Sequence, residues 1–596
     1  MKQQQQLHLP PTHGAETTRS PTSRRLKTGN WGLIIALVSL VTIVIIRNYQ
    51  TILNVAVPQL QERYEISSTI VQAIETENDD DGIDDHIRAG SDGNEGNVDE
   101  IVVHNDQAIE NKNGLNMDIK TKLDPKKLNI LILYPDDWRH DSIGSEKPYV
   151  LTPFLDQLAR EGIRFTYNAV TTSVCWMSRA TLWMGQYSSR HKSYALRCPR
   201  MALPENWEHS WVQMLRNAGY YVGHVGKWQY WNSNTNKLFD WEKRFEGNHW
   251  ENVWDKDGNR MVHASDLAKE YSFEFFDKRP KDKPFVLSVA FYPPKPVGDS
   301  RKPGEQFSPT NETKKLYENV TIPRPEHEIS FQKLPEFLKK ETHAAPDRFR
   351  QRYNSSEHFQ ASMRNYFALV TGVDQACKEI VDRLKEEGLY NNTMIIFTTD
   401  NGMFHGSHGL AGKWYPYQES IRVPLIIYDP RMPSEKVGTL DDSFTLNVDL
   451  AQTILGAAGV KPDALMQGRD ISDLYLANEK SEIHNSESVE KEPWREEFFY
   501  EYPSPDEWGI PSSTALVRKD WKYIFWPMEK REQLFNLAND PMEMDDLYES
   551  KNDEAMLLEM RQRHNELRDE LHDTSYINDP KCKSFLSDHE KDLSPK

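Results

Sequence analysis

Two short apolar runs, each ending in oxygen-bearing side chains, constrain this chain more than any other feature. "KKLNILILYPDDW" carries an apolar run from Leu128 to Leu133, with lysines before it and Pro135, Asp136 and Asp137 after it. "NNTMIIFTTDNG" repeats the pattern and ends in Asp400 and Asn401. Continuous runs this short predict strands buried on both faces. "GYYVGHVGKW" and "KPFVLSVAFYPPKP" read the same way, and "TPFLDQLAREGIRF" has helical spacing. Strands alternating with helices predict an α/β fold in which helices sandwich a large, mixed but mainly parallel sheet. From about residue 495 the pattern changes to short antiparallel strands, "FFYEYP", "TALVRKDWKYIFWP" and "QLFNLANDPMEMDDLY", with a closing turn. The chain thus divides into a catalytic-size domain at 127–494, a smaller antiparallel-sheet subdomain at 495–574 and a polar tail at 575–596.

In an open parallel sheet, ligands gather beyond the carboxyl ends of the strands, so Asp136, Asp137, Asp400 and Asn401 are expected to converge. Either pair alone reads best as a turn or a helix cap. Their recurrence after two similar strands points instead to a hard cation, Ca²⁺ before Mg²⁺, which would keep three close carboxylates charged. Cys175 lies in "SVCWMSRATLWMGQYSSRH", where Ser178 to Met184 predicts a short helix ended by Gly185. By itself Cys175 reads as a buried thiol. A helix N-terminus and Arg179 nearby would equally favour an anionic nucleophile there. Lys227 ends "YYVGHVGK" and Lys413 sits in the Gly-rich "NGMFHGSHGLAGKW", two point charges suited to a tetrahedral anion beside a metal. His405 and His408 in that loop are candidate proton donors, since imidazole titrates in the right range.

The rest of the composition bears on partners and compartment. With 91 acidic and 72 basic side chains the net charge is −19, which excludes a general nucleic-acid binder. A small, locally basic pocket for an anionic substrate remains compatible with it. "WGLIIALVSLVTIVII", residues 31–46, is uncharged and slightly shorter than the roughly 20 residues of a full span. Arg19, Arg24, Arg25 and Lys27 precede it, Arg47 follows, and no small-residue cleavage site is evident. It predicts a membrane-spanning signal anchor with a cytoplasmic basic tail at 1–30 and a lumenal or extracellular remainder, secreted if the anchor is cleaved. Residues 47–126, with "ENDDDGIDDHIRAGSDGNEGNVDE", are too polar to bury a core and read as an acidic disordered stem. Sequons at Asn311, Asn319, Asn354 and Asn391 agree with passage through the secretory pathway. Cys175, Cys198, Cys377 and Cys582 are too few and too dispersed for a disulfide scaffold or zinc cluster.

Five blocks, "LNILILYPDDWRHDSIG", "SVCWMSRATLWMGQYSSRH", "AGYYVGHVGKW", "FTTDNGMFHGSHGLAGKWYPYQESIRVPLIIYDP" and "VDLAQTILGAAGVKPDALMQGRD", resemble in order the signature blocks of the type I sulfatases. These belong to the alkaline-phosphatase-like superfamily, and the resemblance runs from about residue 127 to about 550. It is nearest in tone to iduronate-2-sulfatase, N-acetylglucosamine-6-sulfatase and bacterial mucin-desulfating enzymes. The resemblance implies that Cys175 is oxidised by the formylglycine-generating enzyme, and that the hydrate of the resulting aldehyde attacks the sulfur of a sulfate ester, of carbohydrate or another alcohol. It implies that Asp136, Asp137, Asp400, Asn401 and the modified Cys175 hold Ca²⁺, that Arg179 holds the hydrate, and that Lys227 and Lys413 contact sulfate.

The chain departs from the family pattern in three places. Met177 replaces the proline or alanine between the modified cysteine and the arginine. Gln229 stands where a histidine usually follows Gly-Lys-Trp. Lys295, in "YPPKP", stands near a second family histidine. Gln229 then becomes a substrate contact and Lys295 a donor or a sulfate contact, and His405 or His408 is expected to take over proton transfer. Two alternatives accompany this reading: a phosphodiesterase or phosphonate hydrolase of the same superfamily, and a catalytically inactive protein that binds sulfated glycans.

Overall fold

A single large sheet organises the fold and gathers the site residues at one edge. The computed structural model describes residues 127–571 apart from 195–199, 231–236, 246, 256–257, 477–492 and 504–508. The basic tail, anchor, stem and polar tail expected at 1–30, 31–46, 47–126 and 575–596, with Cys198 and Cys582, lie outside the described residues. Among the described residues no helix is long and apolar enough to cross a membrane.

The sheet has eight strands: β1 (Asn129–Leu133), β2 (Ile163–Phe165), β3 (Tyr221–Gly226), β4 (Trp241–Arg244), β5 (Phe285–Ala290), β6 (Thr393–Thr398), β7 (Leu425–Tyr428) and β8 (Leu440–Asp441). Their order is β8-β2-β7-β6-β1-β5-β3-β4, and only β7 runs against its neighbours. The expected mixed, mainly parallel sheet is therefore present, and its four apolar runs are β1, β3, β5 and β6. Ile132 stands in register with Ser288 on one side and Ile396 on the other. The carboxyl ends of β6, β1 and β5 consequently align, which puts the residues after them within reach of one another.

Alternation along each strand sends side chains to opposite faces. Ile130, Ile132, Met394 and Ile396 join one apolar cluster, while Leu131, Leu133, Ile395 and Phe397 join another. Each fully buried side chain of this size contributes roughly 1.5–3 kcal/mol. Helices α1 (Pro153–Glu161) and α4 (Ser356–Glu386) cover the second face; α2 (Cys175–Met184) and α5 (Leu450–Ala457) cover the first. A nine-residue helix, α3 (Ala344–Arg352), precedes α4.

The C-terminal sheet is a sequential antiparallel meander of β9 (Glu497–Tyr502), β10 (Ser513–Arg518), β11 (Trp521–Trp526) and β12 (Arg531–Asn536). Where the sequence pattern predicted only a closing turn, helix α6 (Glu554–Leu571) packs Leu557 and Met560 on Leu516, Tyr523 and Leu534. The opposite face of the meander, including Tyr500, Tyr502 and Ile524, merges with the main core.

Several histidines are buried without a charge partner, which makes stability pH-dependent. Burial lowers His191 to about 3 and His249, His263 and His564 to about 4. Each therefore contributes stability that is full above the unfolded value near 6.5 and is lost as pH falls through the folded value. Asp374, raised by burial to about 7, acts in the opposite sense between its unfolded value and 7. Burial raises Glu543 and Asp546 as well, but it also lowers His140, His224 and His405 well below their usual value, so the histidines outnumber the carboxyls and the melting temperature falls between pH 6.5 and 4. His564→Gln reduces that slope in a calorimetric pH series; an unchanged slope would refute the assignment.

Candidate active site

The segment after β1 carries two of the site's carboxylates, and backbone contacts fix its course. Asp136 forms a parallel bridge with Pro294, beyond the end of β5, which brings Lys295 beside it. On the other side the Trp138 amide donates to the Asn401 carbonyl at 3.0 Å, and the Thr399 hydroxyl donates to the Pro135 carbonyl at 2.8 Å. Asp137 itself sits at φ 60, a left-handed conformation that aspartate tolerates better than most residues.

Cys175 is the first residue of α2, after the extended Val174, and all ten residues of that helix are buried. The helix begins three residues earlier than its sequence predicted, so the sulfur lies at the positive end of the helix dipole. The preceding loop is held by the C-terminal meander: Ser173 Oγ and Tyr500 OH are 2.6 Å apart, and Thr172 Oγ1 donates to the Glu501 carbonyl at 2.8 Å.

Around the sulfur the sequence-predicted residues converge. The ligand atoms of Asp136, Asp137, Cys175 and Asp400 all lie within 4.8 Å of one another. Cys175 Sγ donates to Asp136 Oδ1 at 3.3 Å, and Asn401 Nδ2 donates to Asp137 Oδ1 at 2.6 Å. Lys413 Nζ is 2.7 Å and Lys295 Nζ 3.0 Å from Sγ. Lys413 also pairs with Asp137, and Lys227 with Asp136. Arg179 holds Asp400 Oδ2 through Nε at 2.9 Å and Nη2 at 2.7 Å. Lys227 follows Gly226, which has φ +88 and a position where a Cβ would meet the Ala290 carbonyl oxygen at 2.1 Å; no other residue fits that turn.

Electrostatics follow from this packing. Burial pushes the Asp137 carboxyl up, but Lys413 and Lys295 prevail and hold it well below the usual carboxylate range. Burial likewise opposes ionisation of Asp400, and Arg179, Lys227 and Lys413 overcome it. Burial lowers Lys295, yet Cys175 and Asp137 leave it raised overall. Asp137 and Asp400 thus sit ionised beside Asp136 in a buried cluster of opposite charge, poised to exchange lysine contacts for a cation or an incoming anion.

The two loop histidines stand apart from this cluster in their bonding. His408 Nδ1 is 2.8 Å from Ser330 Oγ, and its Nε2 is 3.5 Å from Glu419, which also binds His327 at 2.6 Å. His405 packs on Tyr366 with ring centroids 4.2 Å apart, and burial followed by Arg139 lowers its pKa well below the usual value. Among the described residues neither bonds to a cluster member, whereas Lys413 and Lys295 both reach the sulfur. Gln229, at φ 75, leaves its buried Oε1 without a hydrogen-bond partner among the described residues. Cys175 and Cys377 are both unpaired buried thiols. Sequence reasoning missed Arg348 and Arg352 on α3 and the tyrosines of β9; the arginines lie in a stretch of the chain, 297–360, with no strand or helix period to read.

The donor set fits a hard cation. Asp136, Asp137, Asp400 and Asn401 offer oxygen atoms only, and Asn401 Oδ1 is buried without a hydrogen-bond partner. A buried amide oxygen left this way costs about 1–3 kcal/mol unless something coordinates it.

Comparison with known proteins agrees with this geometry. The Sulfatase family profile matches residues 128–460, and that of the N-sulphoglucosamine sulphohydrolase C-terminal region matches 406–570. An N-acetylglucosamine-6-O-sulfatase of Bacteroides thetaiotaomicron is 24% identical over 491 residues, covering 72% of this chain and 84% of that protein. A solved complex of a protein with its substrate D-glucosamine-2-N,6-O-disulfate superposes with a TM-score of 0.62 at 21% identity, covering 75% of this chain and 99% of the other. A phosphonate monoester hydrolase of Agrobacterium radiobacter does so with a TM-score of 0.59 at 20% identity, covering 75% and 96%. At these identities the structural likeness speaks to the fold.

Proposed function

Because the chain belongs to the sulfatase family and is a sulfatase with the alkaline-phosphatase-like fold, we propose that it hydrolyses sulfate esters of sulfated carbohydrate at the cluster around Cys175. The observation that carries this is the convergence of Cys175, three carboxylates and four basic side chains from separate strand ends, helix α2 and the loop of Lys413.

Asp136, Asp137, Asp400 and Asn401 would hold Ca²⁺, and residue 175 would act after oxidation of its thiol to formylglycine. In that state residue 175 supplies a hydrated aldehyde as nucleophile, and the cation supplies Lewis-acid polarisation of sulfate. The chain's own residues do the rest. Arg179 and Asp400, bonded to each other, fix the floor under residue 175. Lys227, Lys413 and Lys295 neutralise the charge that grows on the sulfate oxygens as the ester bond breaks. Lys295, with a movable ammonium beside Sγ, is the donor placed to protonate the departing alcohol, in a site where Gln229 has no proton to exchange. Burial of the cluster excludes bulk water and strengthens each of these interactions.

A phosphonate or phosphate ester would meet the same charges, and the likeness to a phosphonate hydrolase keeps that reading in play. A sulfate and a phosphate ester of one chromogenic alcohol separate them. The expected result is faster turnover of the sulfate; faster turnover of the phosphate would overturn the assignment.

The same proposal includes a type II arrangement, with residues 31–46 as anchor and the enzyme in the lumen or outside the cell. The exposed positions of Asn311, Asn319, Asn354 and Asn391 support it, since each sequon is open to glycosylation.

A further inference from the structure

Outside the cluster, two arginines one turn apart on α3 lie near it, and the carboxylate next to the first, Asp347, is paired with Arg301 and Arg350 instead. The Arg348 guanidinium lies over the Trp414 ring at 4.7 Å and has no hydrogen-bond or ion-pair partner among the described residues. It is half-buried, and its Nη1 is 3.6 Å from where a Cβ on Gly412 would stand. Trp414 immediately follows Lys413, which touches Cys175, and it occupies φ 86, rare for a large side chain. Such strain persists only where surrounding contacts demand it, and here Tyr500 OH donates to the Trp414 carbonyl at 2.5 Å. The turn that aims Lys413 at the sulfur thereby also sets the platform beneath Arg348.

Arg352 is fully enclosed. Its Nε donates to Gln306 Oε1 at 2.7 Å, but its Nη1 is buried with no partner. Burial and the neighbouring Arg348 both oppose its charge, and it lies in electrostatic reach of Asp137. Arg348 feels both Asp137 and Cys175.

Charge balance says what is missing. Arg179, Lys227, Lys295, Lys413, Arg348 and Arg352 are near Asp136, Asp137 and Asp400, and Asp347 is already paired with Arg301 and Arg350, so this one region is strongly cationic in a chain of net charge −19. A sulfate monoester brings a single negative charge, which the three lysines and Arg179 already match. We propose that Arg348, supported by Arg352, forms a second anion subsite that binds a carboxylate or a further sulfate on the sugar carrying the scissile ester. The subsite makes this a sulfatase for polyanionic glycans. A guanidinium with a free planar fork, pre-ordered on an aromatic face, is the group best shaped for either anion.

This rests on the sulfatase reading, and the experiment keeps the two apart by measuring binding without turnover. Full-length Cys175→Ala protein, with and without Arg348→Gln or Arg348→Lys, is titrated calorimetrically with sulfated disaccharides carrying one anionic group, two sulfates, or one sulfate and one uronate. The parent protein is expected to bind the doubly charged ligands about tenfold or more tighter than the singly charged one. Arg348→Gln removes that preference and leaves affinity for the singly charged ligand unchanged, while Arg348→Lys retains part of it. Comparison of the two doubly charged ligands identifies which anion the fork takes. Equal affinity across the series in the parent, an equal loss for every ligand on substitution, or no binding of any doubly charged ligand would each overturn the proposal. Failure of the chromogenic sulfate assay would instead strike the hydrolytic reading alone.

Discussion

Cys175→Ala abolishes hydrolysis, with kcat falling by about four to six orders of magnitude on chromogenic and carbohydrate sulfates alike. No neighbouring group substitutes for it. The side chains within reach of Sγ are Asp136, Asp137, Lys295 and Lys413, none of which carries a thiol that could be oxidised to the proposed aldehyde nucleophile. KM is expected to change little, because the cations that bind sulfate stay in place. Peptide mass spectrometry on protein from its native host completes the test: the fragment containing Cys175 carries an aldehyde where the gene encodes a thiol. A fully alkylatable thiol together with undiminished turnover would exclude this nucleophile. Cys175 and Met177 are both buried in α2, so the proposed conversion requires the modifying enzyme to meet this segment before the helix packs. Met177 then affects recognition of the extended segment, and Met177→Ala raises the fraction converted without altering the folded site's charges.

Asp400→Asn is expected to cost at least about 100-fold in divalent-cation affinity, at or beyond the upper end of what outer ligand-supporting partners contribute. The substitution preserves shape but removes the charge that pairs Arg179, and it leaves Arg179 and Lys227 facing two carboxylates instead of three. Chelation of the parent protein lowers its melting temperature and its activity together, and Ca²⁺ restores both more completely than Mg²⁺, whose octahedral demand suits this mixed donor set less well. At a concentration 100 times the dissociation constant, binding stabilises the fold by about 2.7 kcal/mol. Asp400→Asn shows no such shift at that concentration. A melting temperature indifferent to chelator and cation would mean that the lysine contacts alone neutralise the carboxylates.

How much of this was legible beforehand differs by residue. β1 and β6 were readable because a strand buried on both faces leaves an unbroken apolar run, and the oxygen ligands after each run marked its carboxyl end. Gly185 ended α2 where expected, at φ 63. Lys227 and Lys413 could be named from strand-end and loop position, and both reach carboxylates of the cluster. Helix α6 was not read from the sequence although its buried Leu557, Met560 and His564 stand at i, i+3 and i+7, because one of the three is polar and the segment around them is dominated by charged side chains. Arg348 and Arg352 were invisible because an i, i+4 arginine pair on a polar helix has no signature distinguishing a site from a solvated surface.

The sequence by itself determined the sheet, the strand ends that carry ligands and the family to which the chain belongs, since all three are written in local runs and short spacings. Only the tertiary structure decided that Lys295, and not a loop histidine, joins Lys413 at the sulfur. His408 is sequence-adjacent to the site loop but bonds to Ser330 and faces Glu419, whereas Lys295 arrives because Asp136 bridges Pro294. Proximity between side chains hundreds of residues apart depends on strand register and on turns that admit one conformation, and neither is expressed in composition or period.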